Sequence, residues 1–229
     1  LRGLLMAWHA AGRRSRPRVL ITDYLDLPTA PEFQMLAEYL HAHGFVAIVE
    51  DPRALEYRDG VLVAQGTPID LVYRRVLVRE FLERADEVWP LFEAYRDGAV
   101  VMVNPFRAKL AHKKISFAVL SGDHLDSEWL TPEERRVMER HVPWTRRLRP
   151  CRTTFHGQEV DLVELVASRR QEFVLKPNDD YGGRGIVLGW EGDDAGFARA
   201  LEEALRGDFV VQERIRTIDE PFPILDRNL

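Results

Sequence analysis

Length, composition and charge limit the class of protein that this chain can be. Its 229 residues are 45% hydrophobic and 30% charged, which is enough to bury a core in one large domain or two smaller lobes. A formal net charge of -5 argues against a general nucleic-acid binder, because such proteins need a surplus of lysine and arginine. Cys151 is the single cysteine, which excludes an internal disulfide and a cysteine-based zinc site. No apolar run approaches the roughly 20 residues that span a bilayer, so we predict a cytoplasmic protein without a membrane partner.

The first 150 residues show the alternation of a layered α/β lobe. Residues 1–16 are predicted to form an amphipathic helical extension, and residues 17–150 an α/β and helical region. A strand, a helix and a second strand are predicted by RVLITDY, PEFQMLAEYLHAHG and FVAIVED, and LEYRDGVLVAQG predicts a hairpin that turns at Asp59-Gly60. A further strand, one or two helices and another strand are indicated by IDLVYRRVL, EFLERADEVWPLFEAYRDG and AVVMVN. This order predicts a largely parallel sheet.

The pattern changes after residue 104. It is helical as far as residue 142, with Thr131 predicted as the N-cap ahead of Pro132. The next stretch, VPWTRRLRPCRTTFHGQ, is rich in proline and arginine and is interpreted as a connection, so we place a lobe boundary at residue 150. Residues 151–229 then predict a second lobe, in the order helix, strand, glycine-rich loop, strand, helix and strand.

The glycine-rich loop lies in the segment FVLKPNDDYGGRGIVLGW. A Walker loop or a dinucleotide fingerprint places its glycines between a strand and a helix. Here Gly185 is followed by IVLGW, which is β-like, so the loop is predicted to join two antiparallel strands. Such a hairpin can hold phosphates because glycine lets the backbone approach closely, with Lys176 as a point charge and Arg184 as a second. A solvated turn made by the two aspartates and the glycines is the alternative.

This segment, together with the helix and the strand FVVQERI that follow it, resembles the ATP-grasp fold. The wider chain, through IDLVYRRVL, VNPFRAKLAHKKISFAVL and VPWTRRL, is similar to circularly permuted ATP-grasp proteins such as the glutathionylspermidine synthetase-like ligases. The resemblance implies an α/β (α+β layered) fold. It would have a Rossmann-like pre-ATP-grasp lobe and a partial, circularly permuted ATP-grasp lobe, the latter formed by residues 151–229 and incomplete at its carboxyl end.

The same resemblance assigns residues to ATP. Lys176 would contact ATP between the adenine and the α-phosphate. The loop that closes over the β- and γ-phosphates would consist of Gly182, Gly183, Arg184 and Gly185. The hinge that meets adenine through backbone groups would consist of Gln212, Glu213, Arg214 and Ile215. Glu220 would bind the ribose hydroxyls, and Asp219 is the alternative.

A second lysine is implied on the other side of the nucleotide. The candidates are Lys109, Lys113 and Lys114; the likeness favours Lys114, and a solvated helix face is the alternative. Arg74 and Arg75 occupy adjacent strand positions, so at most one of them faces a cleft. Arg75 is predicted to bind a substrate carboxylate or acyl phosphate and, with Arg184, to serve catalysis; a surface pair of arginines is the alternative.

The reaction implied is the ATP-dependent ligation of a carboxylate, on a small molecule or a peptide, to an amine. The carboxylate takes the γ-phosphate to form an acyl phosphate, and the amine then displaces phosphate, with Mg²⁺ bridging the phosphates. The histidines, His112 among them, lack partners at metal-ligand spacing. The chain stops 16 residues past Glu213, and Asp226 and Asn228 are not assigned, so the magnesium ligands are expected beyond residue 229. A non-catalytic nucleotide-binding or scaffold protein that retains this architecture is the alternative function.

Overall fold

The computed structural model describes residues 1–26, 30–122, 129–218 and 220–221. The chain forms two compact units, Leu1–Lys109 and Leu110–Leu229, each with its own sheets. A parallel sheet in one unit and antiparallel sheets in both confirm the α/β (α+β layered) fold class. The division expected from the sequence, with boundaries after residues 16 and 150, stays a prediction. Within the described ranges, none of the helices combines the length and the apolar character needed to cross a membrane.

The first unit opens with the predicted amphipathic helix and then a β-α-β element. Their bounds are α1 (Arg2–Ala10), β1 (Val19–Thr22), α2 (Ala30–Ala42) and β2 (Ala47–Glu50). α1 buries Leu4 and Trp8 in the same cluster as Val19 and Ile21, so the apolar side of the helix packs on the sheet as expected. Leu20, which points to the other face of the strand, belongs to a second cluster.

A small antiparallel sheet follows. Its strands are β3 (Glu56–Arg58), β4 (Val61–Ala64) and β5 (Thr67–Ile69), paired in that order. The first turn is the predicted one: Asp59 and Gly60 have φ angles of 51° and 77°. Two consecutive residues in the left-handed region are what a tight hairpin turn requires, and Asp-Gly adopts this conformation at little cost.

The remaining elements of the first unit complete its parallel sheet. They are β6 (Leu71–Arg74), α3 (Val78–Glu83), α4 (Ala85–Arg96) and β7 (Val101–Val103). The strand order is β2-β1-β6-β7, and every neighbouring pair is parallel, as the alternation in the sequence predicts. The chain leaves β1 toward β2 and later returns to β6 on the other side. The carboxyl ends of β1 and β6 therefore flank the point at which open α/β sheets form their ligand crevice.

The next stretch is helical, as predicted. It contains α5 (Lys109–His112), α6 (Ile115–Leu120) and α7 (Pro132–His141). Thr131 is the N-cap of α7, and its hydroxyl accepts from the Glu134 N–H while the Glu134 carboxylate accepts from the Thr131 N–H. This capping box satisfies two amide groups and fixes where the helix begins.

The interpretation of residues 142–158 as a connection is wrong. The segment contains the strands β8 (Thr145–Arg147) and β9 (Arg152–Phe155), and β9 pairs with β10 (Gln158–Asp161) in a hairpin. The prolines flank these strands at positions 143 and 150 and do not interrupt them. Thr145 and Leu148 are buried, whereas Arg147 and Arg149 are exposed, so buried residues alternate with solvent-exposed arginines in this segment.

The second unit closes around a four-stranded antiparallel sheet. After α8 (Leu162–Ser168) come β11 (Phe173–Pro177), β12 (Val187–Leu188), α9 (Asp194–Arg206) and β13 (Phe209–Glu213). The strand order is β12-β11-β13-β8, and each pair is antiparallel. The prediction that the glycine loop joins two antiparallel strands is thus confirmed. Phe173, Leu175 and Val211 pack against α8 and α9, which leaves the intervening side chains on the opposite face of the sheet.

Candidate functional site

Lys176 lies on the face of β11 that does not pack on the helices. Its half-buried ammonium Nζ donates to Oε1 of Gln212 on β13 at 2.5 Å. The amide of Gln212 donates in turn to the hydroxyl of Thr145 on β8 at 2.9 Å, and this hydroxyl donates to the Pro143 carbonyl at 2.9 Å. The lysine is therefore held at the end of a hydrogen-bonded row that crosses three strands of the sheet.

Lys114 reaches the glycine loop from the start of α6. Its Nζ donates to the backbone carbonyl of Asp180 at 2.7 Å, and its backbone N–H donates to the carbonyl of Asn178 at 3.0 Å. Of the three candidate lysines, Lys114 makes these bonds, whereas Nζ of Lys113 lies 3.8 Å from the Asp179 carboxylate. Lys109 is the last residue of the first unit. The structure thus brings Lys114 to the glycine loop; its role toward a nucleotide stays a prediction.

Asn178 joins α6 to the sheet, and sequence reasoning missed it. The residue is 5% exposed; its Oδ1 accepts from the Ile115 N–H at 2.8 Å and its Nδ2 donates to the Asp208 carboxylate at 2.8 Å. The Asn178 N–H also donates to the Asp208 carbonyl at 2.8 Å. The signal that could have identified it is an amide side chain directly after Pro177, where the lysine strand ends.

The charge of Lys114 acts on Lys176. Burial lowers the pKa of Lys176, and the positive charge of Lys114 lowers it further. Both causes disfavour the ammonium form, which indicates that the two cations share one partly desolvated region. An anion bound there would relieve this repulsion, so the region is suited to phosphate or carboxylate groups.

The glycine loop has the backbone that its sequence suggests. Gly182, Gly183 and Gly185 have φ angles of 64°, 77° and 66°, a left-handed conformation that favours glycine. Arg184 is exposed, and its guanidinium carbon lies 5.3 Å from the centre of the Tyr181 ring. The structure thus shows an exposed turn that follows the strand of Lys176. The predicted roles of the loop over the phosphates and of Arg184 in catalysis stay predictions.

In the segment predicted to be the adenine hinge, the backbone N–H groups of two residues already make hydrogen bonds to other parts of the protein. The N–H of Glu213 donates to the Trp144 carbonyl at 2.9 Å, and the N–H of Arg214 donates to the Glu172 carbonyl at 2.7 Å. Because each N–H makes one good hydrogen bond, a base could receive an amide proton only from Ile215 or a later residue. The side chain of Gln212 contacts Lys176, and the predicted role of its backbone toward adenine stays a prediction.

Of the predicted ribose residue, its alternative and the two unassigned residues near the carboxyl end, the structure describes the first. Glu220 is exposed. Asp219, Asp226 and Asn228 lie outside the described residues. Among the residues that are described, no group of three or more histidine, cysteine, aspartate or glutamate side chains is placed to hold a metal ion.

A cavity of about 720 Å³ lies beside the end of β13. Its size is within the range of small-molecule sites. The described part of its lining does not include the two lysines or the loop glycines. It combines apolar side chains with about as many polar or charged ones, among them Leu120, Met138, Trp144, Arg135, Arg140 and Arg214. Nε2 of His156 lies 3.0 Å from Oε1 of Glu213.

The two arginines of the first unit have different environments. Arg74 is buried, its Nε donates to the Asn104 carbonyl at 2.9 Å, and its guanidinium also donates to the Val76 carbonyl. Arg75 is half-buried and its Nη2 lies 3.3 Å from the Glu32 carboxylate. Of the pair, Arg75 therefore retains the exposure that a ligand contact needs, in line with the expectation that at most one faces a cleft. Its catalytic role stays a prediction.

Asp23 is a second residue that sequence reasoning missed. It follows β1 at the carboxyl edge of the parallel sheet, is 6% exposed, and accepts from the Tyr24 N–H at 2.9 Å. Burial raises the pKa of its carboxyl to about 6, with a smaller contribution from Glu80, while Arg75 and Arg74 oppose the rise. A perturbed carboxyl at this edge is a candidate for function. An acidic residue directly after a buried parallel strand is the signal that could have been used.

Comparison with known proteins yields matches among solved structures alone. No protein-family model matches the chain, and no curated protein does. A glutathione synthetase-like effector from Globodera pallida, in its apo form, has a TM-score of 0.54 at 14% identity over 95% of this chain and 45% of that one. A D-cycloserine synthetase has a TM-score of 0.43 at 18% identity, over 85% and 58%. A RimK-domain ATP-grasp protein from Sphaerobacter thermophilus has a TM-score of 0.43 at 18% identity, over 88% and 65%.

These comparisons concern the fold. The chain shares its fold with the effector, and the resemblance to the ATP-grasp fold is confirmed at this level. The chain spans less than two thirds of the length of each of these three proteins. The circular permutation implied by the resemblance stays a prediction.

Proposed function

We propose that the second unit binds ATP and belongs to an ATP-dependent carboxylate–amine ligase. The observation that carries the proposal is the proximity of two lysines beside the glycine loop: Lys176 lies on the strand that leads into the loop, and Nζ of Lys114 donates to the loop carbonyl of Asp180. Two ammonium groups beside an exposed, side-chain-poor backbone match a triphosphate, which offers several oxyanions and needs close approach. The shared fold of the effector is consistent with the proposal.

In the proposed reaction the chain's own cations position the phosphates. Lys176 and Lys114 neutralise phosphate charge, and the loop with Arg184 covers the terminal phosphates. A carboxylate oxygen attacks the γ-phosphorus and ADP leaves, giving an acyl phosphate. An amine nitrogen then attacks the acyl carbon, phosphate leaves, and the amine loses its proton as the amide forms. Arg75 is proposed to hold the carboxylate.

Magnesium would accompany ATP as its counter-ion. The described residues contain no cluster of acidic or histidine side chains that fits such an ion, so no step is derived through a metal bound to the protein. Positioning and charge neutralisation by lysine and arginine are the contributions that the described residues can make to phosphoryl transfer.

The nucleotide site can be tested by calorimetric titration of the protein with Mg-ATP. Lys176→Ala and Lys114→Ala should each weaken binding about tenfold or more, the loss expected for a charge-assisted hydrogen bond. Arg199→Ala is the matched control, since it removes the same charge from an exposed position on α9. Equal affinities in the wild type and Lys176→Ala would sink the assigned site. Thermal unfolding of each variant checks that the fold is retained.

The reaction needs a separate assay. Release of ADP from Mg-ATP, measured against mixtures of carboxylates with and without amines, should require the carboxylate if an acyl phosphate forms. Addition of hydroxylamine should then convert the acyl phosphate to a hydroxamate. Mg-ATP binding without ADP release under all these conditions would instead favour a non-catalytic nucleotide-binding or scaffold protein.

A further inference from the structure

A second cleft, of about 450 Å³, opens between α6 and the segment 146–153 that runs from β8 into β9. We call it the arginine cleft. Its lining has no carboxylate within the described ranges. Apolar side chains of α6 line one side, Ile115 and Val119 among them, and Val119 is 59% exposed. The other side is lined by four arginines, which are Arg146, Arg147, Arg149 and Arg152.

The arginines differ in how strongly they are already engaged. Arg146 is held by oxygen atoms of two other residues: its Nη1 donates to the Ser121 carbonyl at 2.8 Å, and its Nε to the Thr153 hydroxyl at 2.7 Å. Arg147 lies 3.5 Å from the Asp208 carboxylate, and Arg152 lies 2.5 Å from that of Glu159. These two carboxylates lie outside the lining, and they offset the charges of Arg147 and Arg152.

Arg149 is the arginine with most binding capacity. It is exposed, and the described part of the chain provides it with no hydrogen-bond or ion-pair partner. The backbone at Arg149 is nevertheless restrained on both sides, because Leu148 is buried and Pro150 follows. A planar guanidinium presented in this way is suited to a two-pronged bond with a carboxylate or phosphate.

We propose that the arginine cleft binds a small molecule in which an oxyanion, carboxylate or phosphate, is joined to an apolar body. Arg149 binds the oxyanion. The apolar body lies on Ile115 and Val119 of α6, where burying exposed aliphatic surface adds affinity. The site is separate from the proposed nucleotide site, because neither Lys176 nor Lys114 contributes to its lining.

The test uses phenyl phosphate as the probe, titrated into the whole chain by calorimetry. Inorganic phosphate and benzoate are titrated in parallel, so that the contribution of the apolar ring and the kind of oxyanion are separated. We expect saturable binding of phenyl phosphate that is tighter than that of inorganic phosphate and weakens as salt screens the arginines. Arg149→Ala should weaken it roughly fivefold, the ratio for one exposed charge-assisted bond. Val119→Ser should remove the preference for the phenyl group.

Two control variants assign the heat to the arginine cleft. Arg199→Ala removes a charge elsewhere, and Lys176→Ala disables the proposed nucleotide site; neither should change the affinity for phenyl phosphate. The single cysteine offers a local readout, since Cys151 lines the cleft and phenyl phosphate should slow its alkylation by iodoacetamide. Arg149 and Val119 are exposed, so both variants should fold, as thermal unfolding will verify.

Three outcomes would overturn the proposal. The first is no saturable binding at probe concentrations that would reveal a Kd of about 1 mM. The second is equal affinity in the wild type and Arg149→Ala. The third is loss of binding in Lys176→Ala with retention in Arg149→Ala, which would place the probe at the nucleotide site. Failure of the nucleotide proposal leaves these results unaffected, because Mg-ATP and phenyl phosphate are titrated separately.

Discussion

Replacing Asn178 with alanine should weaken the attachment of the beginning of α6 to the end of β11. The side chain makes two hydrogen bonds of 2.8 Å, one from the half-buried N–H of Ile115 and one to the carboxylate of Asp208, which is 52% exposed. Leaving the amide of Ile115 without its acceptor costs about 1–3 kcal/mol, and the bond to the exposed carboxylate adds about 0.5–1 kcal/mol. We therefore expect the free energy of unfolding to fall by about 2–3 kcal/mol.

Urea unfolding followed by circular dichroism measures this loss, and hydrogen exchange at the Ile115 amide shows where it arises. The matched control is Asn104→Ala, since Asn104 is exposed and its backbone carbonyl, which accepts from Arg74, is retained. The control should stay within about 0.5 kcal/mol of the wild type. A loss of less than about 0.5 kcal/mol in Asn178→Ala, or unchanged exchange at Ile115, would refute the reasoning that Asn178 anchors α6.

Three further predictions concern the pH dependence, the backbone and the lysines. Because burial raises the pKa of Asp23 to about 6, its stabilising contribution is complete below the unfolded value of about 4 and is lost as the pH rises through about 6. Above about pH 7, Asp23→Asn should therefore have a free energy of unfolding about 1–3 kcal/mol higher than that of the wild type, measured by urea unfolding. A stability difference of the same size at about pH 4 would contradict this cause. Gly189→Ala would place a Cβ 1.8 Å from a backbone carbonyl and should cost more than about 3 kcal/mol in thermal or urea unfolding, whereas Gly3→Ala, with no atom within 4 Å, should be neutral or stabilising; similar stability of the two would be the contrary result. Lys114→Met should raise the pKa of Lys176, which NMR titration of methylated lysines can follow because the sequence has four of them, and an unchanged value would leave burial as the whole cause.

The parallel sheet could be predicted because its information is local. A buried strand, a helix ended by glycine and a second strand give the β-α-β element directly. In the small antiparallel sheet, Asp59-Gly60 likewise defines the first hairpin by conformational preference alone. These features need no knowledge of which distant segments meet.

The error at residues 142–158 has a physical explanation. A strand of three residues, Thr145–Arg147, is too short to show alternation, and prolines and arginines are typical of loops. What makes it a strand is its pairing with β13, more than 60 residues later in the sequence. Composition carries no signal for such a partner, so tertiary context overrides the local preference.

The candidate site divides in the same way. Lys176 and the glycine loop were identifiable because they are contiguous in the sequence, and their antiparallel setting follows from the β-like residues after the loop. The row from Lys176 through Gln212 to Thr145, and the anchor at Asn178, join residues 30 to 70 positions apart. Such contacts arise from strand register and from the docking of α6, which a single sequence does not encode in any local pattern.

The bonds already made by the two lysines also affect the thermodynamics of any ligand that binds there. Lys176 and Lys114 each donate to an oxygen atom of the protein, so their long side chains have surrendered much of their rotamer entropy during folding. A bound anion would exchange one acceptor for another and would not need to immobilise two mobile side chains. Part of the entropy loss of ligand binding thus already occurs when the chain folds. In the free protein, Gln212 and the Asp180 carbonyl are the acceptors that the oxygens of a bound ligand would replace.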